Sequence, residues 1–167
     1  MSSDCVGSER EALMEVATSC LCQKARNTAR TLTRFYDQYF AGSGIEPTQF
    51  NLLVAIGLSE PVSVLQLAGH LGLERTTLTR NLVPLERESL VQARAGADAR
   101  QRLLSLTQNG RRSLQSNLAF WKKAQQAAAT ALGKNDFDQL SEALSLSNKL
   151  IKSEKLSHEK RPKKFAR

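Results

Sequence analysis

The stretch Ser63-Val-Leu-Gln-Leu-Ala-Gly-His-Leu-Gly-Leu-Glu-Arg-Thr-Thr-Leu-Thr-Arg-Asn-Leu82 predicts two short helices joined by a tight turn. Ser63 and Gln66 have the spacing of a capping box, in which each side chain pairs with the backbone N–H of the other residue. Gly72 stands where a left-handed residue ends a helix. The predicted buried stripe of the first helix is Leu65, Leu67, Ala68 and Leu71.

The second helix is predicted to begin at about Glu74 and to bury three leucines at helical spacing, Leu78, Leu82 and Leu85. Pro84 lies inside it and predicts a kink or an irregular last turn. Arg, Thr and Asn side chains on the other face can bind phosphates and base edges in a major groove. The alternative is an ordinary solvated surface helix. The candidate DNA-contacting residues are Ser63 at the first helix and Arg75, Thr76, Thr77, Thr79, Arg80 and Asn81 on the second.

Two strands of a hairpin are predicted next, at Leu90–Arg94 and Arg102–Leu106, with residues 95–101 as the connecting loop. Arginines at one end of a hairpin suit a narrow, electronegative minor groove. Asp98 could orient Arg100 by a charge-assisted hydrogen bond. The alternative is a salt-bridged surface hairpin. The candidate DNA-contacting residues here are Arg94, Asp98, Arg100 and Arg102.

This order of elements, with Asp98-Ala99-Arg100 in the hairpin and Leu106-Thr107-Gln108-Asn109-Gly110 opening a long helix, resembles the MarR family of bacterial transcription regulators. The resemblance extends from about Leu13 to Ile151. It implies a mainly α fold with a small β-hairpin wing, and long helices that form a homodimer. Two recognition helices and two wings would then bind a pseudo-palindromic site on double-stranded DNA. It also implies a repressor that responds to a small anionic or phenolic effector.

The predicted organisation has a flexible N-terminus at residues 1–8 and a helical dimerisation region at residues 9–41 and 107–155. Between them, residues 45–106 form the winged helix-turn-helix, and residues 156–167 form a basic flexible tail. A first helix of roughly 30 residues would span about 45 Å, more than a small domain needs for its own core. We therefore expect it to pack against a partner subunit.

The formal net charge of +8 and the isoelectric point near 9.8 favour an anionic partner. From Lys155 onward, however, six basic residues face one glutamate, so this segment carries +5 of that charge. The basicity is therefore weak support for a DNA-binding face. Since no apolar run reaches membrane-spanning length and the N-terminus does not resemble a signal peptide, we expect a cytoplasmic protein with no membrane partner and reduced cysteines.

The three cysteines do not match a metal site or an active site. Cys20 and Cys22, two positions apart on one helix, would point about 200° away from each other and are not expected to pair. Cys-x-Cys with two distant histidines is not a zinc pattern. We therefore expect no enzyme, no metal and no cofactor.

A redox role for Cys22 is an alternative, since it lies fourteen residues before Tyr36. Antiparallel first helices could bring Cys22 to the partner's Tyr36, a spacing that resembles the organic hydroperoxide-sensing branch of the MarR family. Arg26 and Pro47, however, stand where that branch usually has tyrosine. The alternative for Cys20 and Cys22 is packing in a dimer helix. A third class is a winged-helix protein-interaction module that binds no specific DNA.

Overall fold

A computed structural model describes the backbone of residues 3–96 and 101–159, and the side chains of residues 8–96 and 101–150. It is mainly α-helical with one small antiparallel sheet, which confirms the predicted fold class. The chain forms two compact units that divide after Ala124. The elements are α1 (Ser3–Ser19), α2 (Leu21–Phe40), α3 (Pro47–Ser59), β1 (Val62–Ser63), α4 (Val64–Leu71), α5 (Arg75–Arg87), β2 (Val91–Ala95), β3 (Arg102–Leu106), α6 (Gln108–Leu132) and α7 (Lys134–Glu159).

The segment from α3 to β3, which we call the winged helix, holds most of the buried core of the first unit. The prediction for α5 is confirmed, because its three leucines are all buried. The prediction for Leu65 on α4 is wrong, since 72% of that residue is exposed. Leu65 is two positions from Leu67, so the two side chains lie on opposite sides of the helix. The fully buried leucines and isoleucine of this core are Leu53, Ile56, Leu67, Leu78, Leu82, Leu85 and Leu104.

Both ends of α4 form as the sequence predicts. The Gln66 N–H donates to Ser63 Oγ at 3.2 Å, and the Ser63 N–H donates to Gln66 Oε1 at 3.1 Å. Gly72 has φ of 66°, and its left-handed conformation ends the helix. The turn into α5 is therefore specified by residues that lie next to it in the sequence.

The sheet has the strand order β1-β3-β2. The predicted hairpin is confirmed, with Val91 opposite Leu106 and Ala95 opposite Arg102. A short strand that was not predicted, β1, pairs with β3 on the other side and places Val62 opposite Leu104. Two residues are too short for an alternating pattern, so the pairing partner alone makes this segment a strand.

The first turn of α6 packs against the backbone that follows α5. Thr107 Oγ1 caps α6 by accepting from the Gly110 N–H at 2.9 Å, and it donates to the Ser89 carbonyl at 2.6 Å. The Thr107 N–H donates to the Leu90 carbonyl at 3.1 Å. A Cβ on Gly110 would lie 2.0 Å from that carbonyl oxygen. The Leu-Thr-x-x-Gly motif is therefore a contact motif that requires glycine at its end.

The single long first helix predicted from about Glu9 is wrong in two respects. The helix already begins at Ser3, within the segment expected to be flexible. It is also interrupted at Cys20, whose ψ is 107°. The hydroxyls of Thr18 and Ser19 donate back to carbonyls of the preceding turn, a pattern that bends helices.

The second unit contains the end of α6 and all of α7. Gly133 separates the two helices with φ of 81°. Helix α7 begins at Lys134 and continues to Glu159. The predicted tail at residues 156–167 is therefore helical in its first part, and residues 160–167 lie outside the described residues.

Candidate nucleic-acid interface

The outer face of α5 presents polar side chains to solvent, as the sequence predicts. Arg75, Thr76, Arg80 and Asn81 are exposed, and Thr77 is partly buried. Thr79 is exposed, but its hydroxyl donates to the Arg75 carbonyl at 2.8 Å, which leaves the oxygen free to accept. Because the buried leucines anchor the opposite side, this face has a fixed orientation.

Pro84 does not end α5, which continues to Arg87. The proline has no N–H for the Arg80 carbonyl, while its own carbonyl accepts from the Glu88 N–H at 3.0 Å. The missing bond lies in the C-terminal half of α5. The polar residues in the N-terminal turns of α5 keep regular helical geometry.

The wing consists of β2, β3 and the loop between them. Arg94 on β2 is exposed. The guanidinium of Arg102, a candidate DNA contact, donates to Glu86 Oε1 at 2.8 Å and so connects the wing to α5. Asp98 and Arg100 lie outside the described residues.

A groove of about 270 Å³ lies where α4, α5 and the base of the wing meet. It brings together four of the predicted residues: Ser63, Arg75, Thr79 and Arg102. Sequence reasoning missed Leu65 and Gln101, which also line it. The position of Leu65, two residues from Leu67 and so on the opposite side of α4, was the signal that it lies outside the core.

Cys20 is partly buried and Cys22 is exposed, and both thiols are free. The expectation that Cys20 and Cys22 point about 200° apart assumed one continuous helix. It does not apply, because Cys20 lies at the interruption between α1 and α2. Tyr36 packs edge-on to Phe35 with ring centroids 6.0 Å apart. Burial raises the pKa of the Tyr36 phenol above its ordinary value of 10.0, so it is a hydrogen-bond donor at neutral pH. The contact between Cys22 and the partner's Tyr36 stays a prediction.

A second, more apolar pocket of about 390 Å³ lies between α3, β3 and α6. Its polar lining residues are Arg111 and Gln115. The guanidinium of Arg111 pairs with the largely buried carboxylate of Glu60. The apolar lining consists of Val54, Gly57, Leu58, Leu106, Leu114 and Leu118.

Among the residues that the structure describes, no group of three or more His, Cys, Asp and Glu side chains could hold a metal ion. Within the same part of the chain, every helix is too short or too polar to cross a membrane.

Comparison with solved structures identifies the family. No protein-family model matches the chain, and no curated protein matches it. The transcriptional regulator MosR of Mycobacterium tuberculosis, solved with DNA, is 36% identical over 81% of this chain and 98% of that chain, with a TM-score of 0.73. The chain belongs to the MarR family of transcriptional regulators. The family resemblance predicted from the sequence is confirmed.

Two further structures show the same MarR-family fold. Another structure of M. tuberculosis MosR is 33% identical over 81% of this chain and 98% of that chain, with a TM-score of 0.70. A mutant MarR of Escherichia coli, solved with operator DNA, is 20% identical over 80% of this chain and 96% of that chain, with a TM-score of 0.70. At 20% identity, the comparison with MarR supports the fold alone.

Proposed function

We propose that this MarR-family chain is a homodimeric, sequence-specific DNA-binding transcriptional regulator that acts as a repressor in the cytoplasm. The observation that carries the proposal is the exposed Arg, Thr and Asn face of α5, fixed by buried leucines on the opposite side. Such a helix fits a major groove with its N-terminal residues at the base edges. The structure of MosR solved with DNA supports it.

The exposed residues of α5 have different parts in this interface. Arg75 and Arg80 can bind phosphates or guanines, and Thr76 and Asn81 have the groups that pair with base edges. Ser63 lies at the N-terminus of α4, where backbone N–H groups can donate hydrogen bonds to a phosphate. The remaining proposed contacts are Thr77 and Thr79 on α5 and Arg94, Asp98, Arg100 and Arg102 of the wing.

Dimerisation is proposed for residues 9–41 and 107–155, and DNA binding for residues 45–106. In α1, Leu13, Met14 and Val16 are exposed, and in α7 Leu144, Leu146 and Leu150 are exposed. Exposed apolar surface of this extent is typical of a protein interface. A two-fold dimer would present two copies of α5 to a pseudo-palindromic site.

The test is selection of a bound sequence from random duplexes, followed by affinity measurement at fixed salt. Arg80→Ala is expected to weaken binding of the selected site about tenfold or more, as for loss of one base or phosphate contact. Arg87→Ala is the matched control, because Arg87 is an exposed arginine at the C-terminal end of the same helix, is not among the proposed contacts, and its loss changes the net charge equally. Equal affinities for both variants, with no selected sequence, would instead support a protein-interaction module.

A small anionic or phenolic effector is proposed for the apolar pocket between α3, β3 and α6. Its volume suits one aromatic ring, and Arg111 provides a cation at its edge. Salicylate is expected to release the selected DNA from the wild type, and Leu118→Trp, which fills the pocket, should abolish that release. Equal release from both proteins would exclude this pocket.

Oxidation of Cys22 is the second proposed form of regulation, and its support is the exposure of that thiol in the first turn of α2. Attack of the sulfur on a peroxide would form an S–O bond as the O–O bond breaks, yielding a sulfenic acid and an alcohol. One equivalent of an organic hydroperoxide should weaken DNA binding by the wild type and by Cys20→Ser but not by Cys22→Ser. Loss of affinity in Cys22→Ser would exclude the role of this residue.

A further inference from the structure

The Glu60 carboxylate connects three segments of the first unit. Glu60 lies directly between α3 and the Pro61 that precedes β1. Its Oε2 accepts from the Leu106 N–H, at the end of β3, with a distance of 2.6 Å. Its Oε1 accepts from the guanidinium of Arg111, in the first turn of α6. Only 14% of the Glu60 side chain is exposed, so these contacts form with little competition from water.

The first turn of α6 is therefore attached to the winged helix at two places. One is the Glu60 carboxylate, and the other is the contact of Thr107 and Gly110 with the backbone at Ser89 and Leu90. Two separated attachments restrict rotation of a helix more than one does. The direction in which α6 leaves the winged helix is set at this junction.

We infer that Glu60 and Arg111 are positioning residues that fix the angle between α6 and the winged helix, and thereby the half-site spacing that the dimer accepts. The inference rests on the dimeric DNA-binding function proposed above. One added base pair moves a half-site by about 3.4 Å and rotates it by about 35°. A stiff junction cannot follow that displacement, whereas a loosened one can.

The chemistry of the junction explains why its loss would relax geometry without unfolding the protein. Removing the carboxylate charge weakens the bonds to the Leu106 N–H and to Arg111 together. Half of the Arg111 side chain is exposed, so its guanidinium can turn to water at small cost. The contacts of Thr107 would keep α6 attached, but with more freedom to rotate.

The experiment measures affinity for the selected operator and for operators whose central spacer is one base pair shorter or longer. The wild type is expected to prefer the selected spacing by about tenfold, the cost of a typical mismatch. Glu60→Gln and Arg111→Gln should each reduce this preference about threefold or more. The double variant should reduce it no further than Glu60→Gln alone, because that substitution already weakens the pair with Arg111. Dimer formation, measured by sedimentation, should stay unchanged.

Glu86→Gln is the matched control. It breaks the ion pair of Glu86 with Arg102, which joins α5 to β3 within the winged helix. This variant can lower affinity but should keep the spacing preference of the wild type. A general loss of stability would instead lower the affinity for all three operators by the same factor in every variant.

Three outcomes decide the inference. A reduced spacing preference in Arg111→Gln, with the control unchanged, supports it. If circular dichroism shows that Glu60→Gln does not fold, Arg111→Gln alone decides the question. A wild-type spacing preference in the folded Glu60 and Arg111 variants overturns it. A wild type that binds no DNA sequence specifically overturns the proposed function itself, and that result is visible before any variant is made.

Discussion

The winged helix and helix α1 differ in the burial of their apolar side chains. In the winged helix, Leu53, Leu78 and Leu104 are completely buried within one chain. In α1, Leu13 and Val16 remain 64% and 61% exposed. The apolar side chains of the winged helix are therefore covered within the chain itself, whereas α1 has an apolar face that no described residue of its own chain covers.

This difference separates two kinds of stability. Burial of apolar surface stabilises the winged helix in every single chain, at any protein concentration. The apolar face of α1 contributes only when a second surface covers it, so its contribution depends on protein concentration. The four substitutions below test this separation, beginning with the one expected to cost the most free energy of unfolding.

Leu78→Ala should have the largest effect. It leaves a cavity behind the recognition helix, and such substitutions lower the free energy of unfolding by about 2–5 kcal/mol. Urea denaturation followed by circular dichroism measures the loss. The exposed Leu146 of α7 provides the matched control, because Leu146→Ala should cost far less at protein concentrations where the chain is monomeric. Equal losses would contradict a core centred on the winged helix.

Gly110→Ala should follow, with a loss of about 2 kcal/mol, because the new Cβ forces the Leu90 carbonyl away from the start of α6. Gly69 in α4 is the control glycine, since no atom lies within 4 Å of its added Cβ. Gly69→Ala should raise the free energy of unfolding by about 0.5–1 kcal/mol, as expected for alanine within a helix. Thermal unfolding of both variants measures the two opposite shifts.

Ser63→Ala should cost about 1 kcal/mol, because it removes the acceptor for the Gln66 N–H at the N-terminus of α4. Ser116 on α6 is an exposed serine within the helix, and Ser116→Ala should leave the free energy of unfolding almost unchanged. The same denaturation measurement applies. An equal loss from both serines would mean that the cap does not stabilise α4.

Leu13→Ser should have the smallest effect on unfolding of the winged helix, within about 0.5 kcal/mol. Its effect should appear instead in sedimentation, as a dimer dissociation constant raised about tenfold, since the exposed leucine would lie in the interface. Glu11→Ser is the control on the same helix, where a polar side chain is replaced. Unchanged dimerisation by Leu13→Ser would place the dimer interface elsewhere.

The features predicted correctly from the sequence depend on residues close to one another in the chain. The Ser63–Gln66 cap, the Gly72 turn and the two strands of the hairpin all have local signals. The base of the candidate interface depends on distant pairs. Glu60 meets Leu106 forty-six positions later, and Arg102 meets Glu86 sixteen positions earlier. No local spacing records these partners, so neither the pairing of Arg102 with Glu86 nor the contacts of Glu60 were predicted.

The interruption at Cys20 was missed for a related reason. Apolar periodicity continues from α1 into α2, and a change of backbone direction at one residue leaves that pattern intact. The hydroxyl contacts of Thr18 and Ser19 that accompany it use residues found in many unbroken helices. Periodicity predicts which side of a helix is apolar, but it does not predict where a helix bends.

The contact between α6 and the segment after α5 uses only main-chain acceptors on one side. Asn109 donates to the Glu88 carbonyl, and Thr107 donates to the carbonyls of Ser89 and Leu90. These bonds therefore do not involve the side chain of Glu88, whereas they require a hydroxyl at Thr107. Ser89, with φ of 54°, further requires a residue that tolerates the left-handed conformation. Random mutagenesis should accumulate tolerated replacements on one side of this contact and almost none on the other. The contact thus permits the surface beyond the recognition helix to diversify while the connection to α6 stays the same.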